Sequence, residues 1–231
     1  MILAIDTSTA LTSVSVSDGD DVVVEFAHLD ARAHAEVLAP MLRDVLARVG
    51  RAAIGAVAVG VGPGPYTGLR VGLATATAVS AAWSVPAFGL CSLDAIAEEE
   101  LVNQPSTGFG VATDARRHEV YWSWYDSQGS RQDGPRVSRP EEIDPHVRAG
   151  RWIGAMDSLP GDDQVFPRAS WVGRRVHRLI LAGAALSTSQ VALSVHGQDG
   201  SETSDALRGQ DLLPVRPLYL RRPDASPPAR P

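Results

Sequence analysis

Two aspartates, Asp6 and Asp114, each close a short run of strand-forming residues. Carboxylates at strand ends that face one cleft can hold Mg2+ through oxygen ligands; they can equally cap turns. A second candidate is the glycine run Gly60, Gly62 and Gly64, with Pro63 and Pro65 interleaved. It lies between a valine-rich strand and an alanine-rich helix. Such a turn aims backbone N–H groups and the positive end of a helix at one point, which suits a phosphate. It equally suits a rigid turn that brings helix and sheet close together. A P-loop needs a lysine, and all 21 basic residues here are arginine. The dinucleotide fingerprint needs G-x-G-x-x-G, and this run reads G-x-G-x-G.

Other chemistries find less. None of the six histidines has a second one four residues on, so no H-E-x-x-H helix exists. His34-Ala35-Glu36 imitates the H-x-E of zinc deaminases, but the chain has one cysteine and lacks their P-C-x-x-C. There is no G-x-S-x-G nucleophile elbow. Ser8, Asp6 and His34 contain the members of a triad, but nothing in their spacing assembles one.

The elements that would position these residues follow from periodicity. Residues 2–6 read as a buried strand, 12–17 and 22–28 as a hairpin around the turn Asp18-Gly19-Asp20-Asp21. Residues 33–49 read as a helix with two apolar rows, Val37, Met41, Val45 and Leu38, Leu42, Leu46. A stripe of ~100° or a little more seats a surface helix on its own core. The two rows cover more than that, which implies either a second contact outside the domain or a helix sandwiched within it. In the helix after the glycine run, Gly68, Gly72 and Ala76 recur every fourth residue, with Leu69, Leu73 and Thr77 alongside. That groove of minimal side chains would let another helix approach closely. Strands are expected at 86–90, 109–113, 119–125, 131–138 and 152–155, and helices from Ser92 to about 102 and over 169–186. Arg174, Arg175 and Arg178 are placed on the solvent side of the last helix. Two strand-rich halves with matching order are suggested, divided near 104. Residues 197–210 read as a polar mobile loop and 223–231 as a disordered Pro-rich tail.

With 231 residues and 44% hydrophobic content, the chain can bury a sizeable core. A net charge of −6 argues against a strong nucleic-acid surface on this chain alone. The N-terminus reaches Asp6 without a basic flank, unlike a signal peptide. No apolar run approaches the roughly 20 residues of a membrane helix. A cytoplasmic protein with no membrane contact is the expectation.

Several segments resemble one family. Ile2-Leu3-Ala4-Ile5-Asp6-Thr7-Ser8 is similar to the opening strand of the bacterial TsaB (YeaZ) proteins, small actin-like paralogues of the TsaD enzyme. His34-Ala35-Glu36-Val37-Leu38-Ala39-Pro40-Met41 resembles their H-S-E-x-L-x-P-x-I helix start. Gly62-Pro63-Gly64-Pro65-Tyr66-Thr67-Gly68-Leu69-Arg70-Val71-Gly72 resembles G-P-G-S-F-T-G-L-R-x-G, with Pro65 and Tyr66 as departures. Asp114-Ala115-Arg116-Arg117-His118-Glu119-Val120-Tyr121 resembles D-A-R-x-x-E-V-Y, and Pro217-Leu218-Tyr219-Leu220-Arg221 resembles P-x-Y-L-R.

The resemblance implies an α/β, actin-like ATPase (ASKHA, ribonuclease H-like) fold. It would have two lobes, 1–104 and 105–222, each a mixed sheet flanked by helices. It implies a subunit that does no chemistry alone. TsaB, TsaD and the ATPase TsaE together place threonylcarbamoyl on the adenosine beside the anticodon of certain tRNAs. TsaD supplies the metal on an H-x-x-x-H pair; here Leu38 stands four residues after His34. The implied TsaD-docking residues are His34, Val37, Leu38, Met41, Val45, Tyr66, Leu69, Arg70, Gly72 and Leu73. A homodimer through the same helices is compatible, and tRNA would be met only through the complex. Asp6, Gly62, Gly64 and Asp114 form at most a degenerate nucleotide site, with ATP or ADP and Mg2+ expected, if anywhere, at the complex interface. The competing reading is an actin-like ATPase or kinase acting alone.

Overall fold

The computed structural model describes residues 1–156, 164–184 and 212–220. Strand β1 (Ile2–Asp6) lies at the centre of a five-stranded sheet, order β3-β2-β1-β4-β5. β2 (Leu11–Asp18) and β3 (Asp21–Leu29) form the antiparallel hairpin; β4 (Ala56–Gly60) and β5 (Ala87–Leu90) run parallel to β1. β1 and β4 are buried on both faces, which is why they read as unbroken apolar runs rather than alternating ones.

Successive side chains of a strand point to opposite faces. From β1 and β4, Leu3, Ile5, Val57 and Val59 join the cluster that holds Leu38, Leu42 and Val45 of helix α1 (His34–Val49) and Leu69 and Leu73 of α2 (Tyr66–Trp83). Ile2, Ala4, Ala56 and Ala58 join Val172, Val176 and Leu179 of a late helix. That helix, α5 (Ala169–Leu181), thus covers the far side of the first sheet although it comes late in the chain. Its first N–H donates to Ser13 Oγ at 2.8 Å.

The second sheet has the order β8-β7-β6-β9, from β6 (Phe109–Asp114), β7 (Val120–Tyr125), β8 (Arg131–Ser138) and β9 (Arg151–Ala155). Here too an antiparallel three-stranded meander is extended by a parallel strand beside its first member. The second sheet thus repeats the first without a fifth strand. Its face is packed with Ala112, Val120, Trp122, Ile143 and Trp152. Helix α3 (Ser92–Glu100) leads from one sheet to the other, and a single turn, α4 (Pro145–Arg148), precedes β9.

The expected elements are present, with two differences. α5 stops at Leu181 rather than continuing to 186, because Gly183 takes φ 73° and Ala184 N–H turns back to Leu179 O at 2.9 Å, a glycine stop of the usual kind. Residue 186 itself, the loop read over 197–210 and the tail read over 223–231 lie outside the described residues. The second difference concerns the arginines of α5. Arg174, Arg175 and Arg178 do not form a solvated face: all three reach Glu98 of α3, and Arg175 is buried. Among the described residues no helix is long and apolar enough to cross a membrane.

Candidate functional site

Asp6 ends β1 and is fully buried. Its Oδ1 accepts the Ser8 N–H at 2.8 Å and the Ser8 hydroxyl at 2.7 Å. Its Oδ2 accepts the Ser92 hydroxyl at 2.7 Å, and Ser92 Oγ in turn accepts the Gly62 N–H at 3.2 Å. Burial pushes the Asp6 carboxyl up to about 6, and the hydrogen bonds from Ser8 and Ser92 pull the other way.

The glycine loop closes directly over this carboxylate. A Cβ at Gly60 would overlap Asp6 Oδ2, and one at Gly64 would overlap the Ser8 carbonyl oxygen. Gly62 takes φ 96°, a conformation glycine reaches without strain. The turn is packed closely on its surroundings, Gly60 against the Asp6 side chain and Gly64 against the Ser8 backbone.

Asp114, by contrast, is exposed, and its Oδ1 accepts the N–H of Arg116 at 2.7 Å in a local turn. The two carboxylates thus differ: one is enclosed and saturated, the other caps a surface turn. A nucleotide phosphate with Mg2+ does not fit Asp6 as it stands. Among the described residues no group of three or more His, Cys, Asp or Glu side chains is placed to hold a metal ion. The paper triad does not assemble either: Ser8 donates to Asp6, while His34 Nδ1 hydrogen-bonds Thr12 Oγ1 at 2.6 Å. Burial lowers the His34 pKa, with the Asp30 carboxylate opposing.

The small-residue groove of α2 is filled from within the chain. Thr7 Oγ1 donates to Gly68 O at 2.8 Å and accepts the Gly72 N–H at 3.2 Å. A Cβ at Gly68 would come within 3.3 Å of His34 Nε2. Gly68, Gly72 and Ala76 thus seat α2 on the β1 turn and on the start of α1, and no foreign helix enters there. Of the residues expected to dock, His34, Leu38, Val45, Leu69, Gly72 and Leu73 are buried in the chain's own core. Val37 and Met41 are half-buried; Tyr66 and Arg70 are exposed. Tyr66 stacks on Tyr219 with centroids 5.3 Å apart, and Arg70 lies 4.5 Å over the Tyr66 ring.

What remains open on α2 is its outer side. Thr67, Arg70, Ala74, Thr77, Ala78 and Ala81 are all exposed, and at spacings of three and four they share a face. Most are small, so a partner backbone could come close.

The acidic helix α3 was not read from sequence as a hub, yet it ties the two halves together. Asp94 receives a buried two-pronged contact from Arg131 on β8 and the Tyr125 hydroxyl at 2.7 Å. Glu98 meets the α5 arginines, and Glu100 pairs with Arg151 of β9. Asp94, Glu98, Glu99 and Glu100 place four carboxylates on a nine-residue helix most of which is buried; that acidic density was the available signal. Cys91, at the start of α3, is buried, and burial pushes its thiol up to about 12.

The family model for TsaD, tRNA N6-adenosine threonylcarbamoyltransferase, matches residues 26–149. The tRNA threonylcarbamoyladenosine biosynthesis protein TsaB of Escherichia coli is 32% identical over 160 residues, covering 66% of this chain and 69% of that protein. The chain belongs to the TsaB (YeaZ) family. An uncharacterized protein of Mycobacterium leprae is 37% identical over 98% of the chain, which spans 56% of that longer relative. A Pseudomonas aeruginosa crystal structure, described as similar to peptidase YEAZ, superposes with a TM-score of 0.71 at 26% identity, covering 95% of this chain and 99% of that one. The actin-like α/β fold expected for TsaB is the fold observed, with its two mixed sheets flanked by helices.

Proposed function

We propose that this chain is a non-catalytic subunit of the machinery that forms threonylcarbamoyladenosine in tRNA. It docks on a TsaD-type transferase and activates it for transfer to the adenosine beside the anticodon, with a TsaE-type ATPase as the third component. The observation that carries the docking is the contrast between the two sides of α2. The inner side is locked onto Thr7 and His34, while the outer side presents Arg70, Ala74, Thr77, Ala78 and Ala81 to solvent. A helix held this firmly from beneath and lined outside with small residues is preorganised for close packing against a partner helix. Val37 and Met41 of α1 supply apolar edge beside it. A second copy of the chain could use the same face when the transferase is lacking.

The closed Asp6 site supports a role without chemistry of its own. The carboxylate has no exposed oxygen for a metal, and Gly60 and Gly64 of the loop are packed directly on Asp6 and Ser8. Activation is then a matter of binding. The chain stabilises whichever arrangement of the transferase it fits better, by the difference in its affinity for the two. tRNA is the substrate of the assembly, which would work in the cytoplasm. The test is a pull-down of TsaD- and TsaE-type proteins on this chain, followed by a tRNA modification assay with and without it. Co-purification together with modification that depends on the chain is expected. Equal modification without it would refute the proposal.

A further inference from the structure

Each sheet has two edges, and an open edge invites another strand unless it is short, charged, interrupted or covered. Three of the edges are guarded in these ways. β5 is four residues long, and its Gly89 exchanges hydrogen bonds with Leu213 at 2.7 and 2.9 Å. β9 is bridged by Gln164, and the Val165 N–H reaches Gly154 O at 3.2 Å. β8 carries Arg131, Asp133 and Arg136 around Gly134-Pro135, and its register against β7 is broken. A proline there cannot donate to a further strand.

β3 has none of these guards. It runs nine residues, Asp21-Val22-Val23-Val24-Glu25-Phe26-Ala27-His28-Leu29, without Gly, Pro, Lys or Arg. Its outer edge has no strand partner among the described residues. Val22, Val23 and Leu29 are 50%, 47% and 59% exposed, and no other described strand exposes a large apolar side chain. Glu25, the charge in the middle of the strand, is already paired with Arg168. A long apolar edge of this kind is a template for pairing.

The strand also complements itself. A two-fold axis at Phe26 sets two copies antiparallel, with Phe26 opposite Phe26, Val24 opposite His28, Glu25 opposite Ala27 and Val23 opposite Leu29. The exposed Val23 and Leu29 then cover one another on one face of the sheet, and no like charges meet. Centring the axis on Glu25 would set two carboxylates directly opposite, which is unfavourable. Centring it on Val24 would put Val23 against Glu25 and leave Leu29 bare.

We infer that β3 is a contact between two copies of this chain, joining their first sheets edge to edge in the register centred on Phe26. Helix α1 lies between this edge and the docking face proposed above, since it packs on β2 and β3 and also on α2. The β3 contact therefore leaves the outer side of α2 free on each copy.

The experiment measures the solution mass of the full chain by size exclusion with light scattering. Ala78→Arg serves as the background, because it blocks self-association through α2. This variant is expected to run as a dimer. Adding Val23→Lys and Leu29→Lys sets lysine opposite lysine twice, and should halve the mass to that of a monomer. Both positions are exposed, so the melting curve should change little. The register is read by oxidising a mixture of two singly substituted chains, Val23→Cys and Leu29→Cys. Opposed antiparallel residues lie about 4.5–5.5 Å apart at Cα, inside the span of about 4.4–6.8 Å that a disulfide bridges. Cys91 is buried and does not compete. A disulfide dimer is expected in the mixture and not in either variant alone. A monomeric Ala78→Arg chain, a mass unmoved by the lysine pair, or disulfides formed as readily by one variant alone would each overturn the inference. The proposed function would survive any of these results, since it is read from binding to the transferase.

Discussion

The Ser92 hydroxyl donates to Asp6 Oδ2 at 2.7 Å across 86 positions of sequence. It joins the end of the first strand to the start of α3 and completes the enclosure of a carboxylate with no solvent contact. Because burial raises the Asp6 pKa from 3.8 to about 6, the folded chain holds that proton more tightly than the unfolded chain. Above about pH 6 the charged form therefore costs the folded state stability. As pH falls through 6 the cost is relieved, and it is gone near pH 4, where the unfolded chain also protonates. The interval corresponds to roughly 3 kcal/mol. Relative to Asp6→Asn, which cannot titrate, wild type should gain up to about that much between pH 7 and pH 4. Urea unfolding at intermediate pH values reads the difference directly; parallel profiles for the two proteins would contradict it.

Gly64 tests whether the loop is packed or open. A methyl group there meets the Ser8 carbonyl oxygen, which belongs to the buried β1 turn and cannot swing aside. Gly64→Ala should cost about 2–4 kcal/mol, in the range of buried steric conflicts. A phosphate loop open to solvent would tolerate the methyl with little change in the urea midpoint, and that result would reopen the nucleotide reading.

Glu98 is buried beneath arginines of unequal exposure. Arg175 is buried with it, while the Arg178 side chain is 40% exposed. Removing the carboxylate leaves a buried guanidinium without its charge partner, so Glu98→Gln should destabilise by about 3 kcal/mol or more. Arg178→Ala removes a partner that water can partly replace, and should cost under about 1 kcal/mol. Chemical denaturation of both variants checks the order; equal losses would mean the cluster is held by something other than Arg175.

The strands, α1, α2 and the family itself were legible because each lies within a continuous stretch of sequence. Val57 and Val59, or the rows through Leu38 and Val45, carry their period on their face. The occupant of the α2 groove was not legible. Gly68 and Gly72 announce a close approach, but Thr7, which makes it, is more than sixty positions earlier. The over-wide apolar surface of α1 had two explanations, and much of it is taken up inside the chain by Leu38, Leu42 and Val45. Arg175 misled for a related reason. An arginine on an amphipathic helix reads as solvated until a carboxylate from another helix, here Glu98, is placed against it.

The docking proposal turns on choosing substitutions that alter the surface without touching the core. Leu69 is unsuitable: it is 0% exposed, so Leu69→Arg would report unfolding. Ala74 and Ala78 point outward from the same helix, and exposed substitutions away from special features usually change stability by within about 0.5 kcal/mol. Ala74→Arg and Ala78→Arg should therefore melt within a few degrees of wild type. Yet a long charged side chain on a face that needs close backbone approach would hold the partner helix off. Each variant is expected to lose co-purification with the TsaD-type transferase and, in the reconstituted mixture, its stimulation of tRNA modification. Retained binding by both, with intact folding shown by circular dichroism, would place the interface on another face of the molecule.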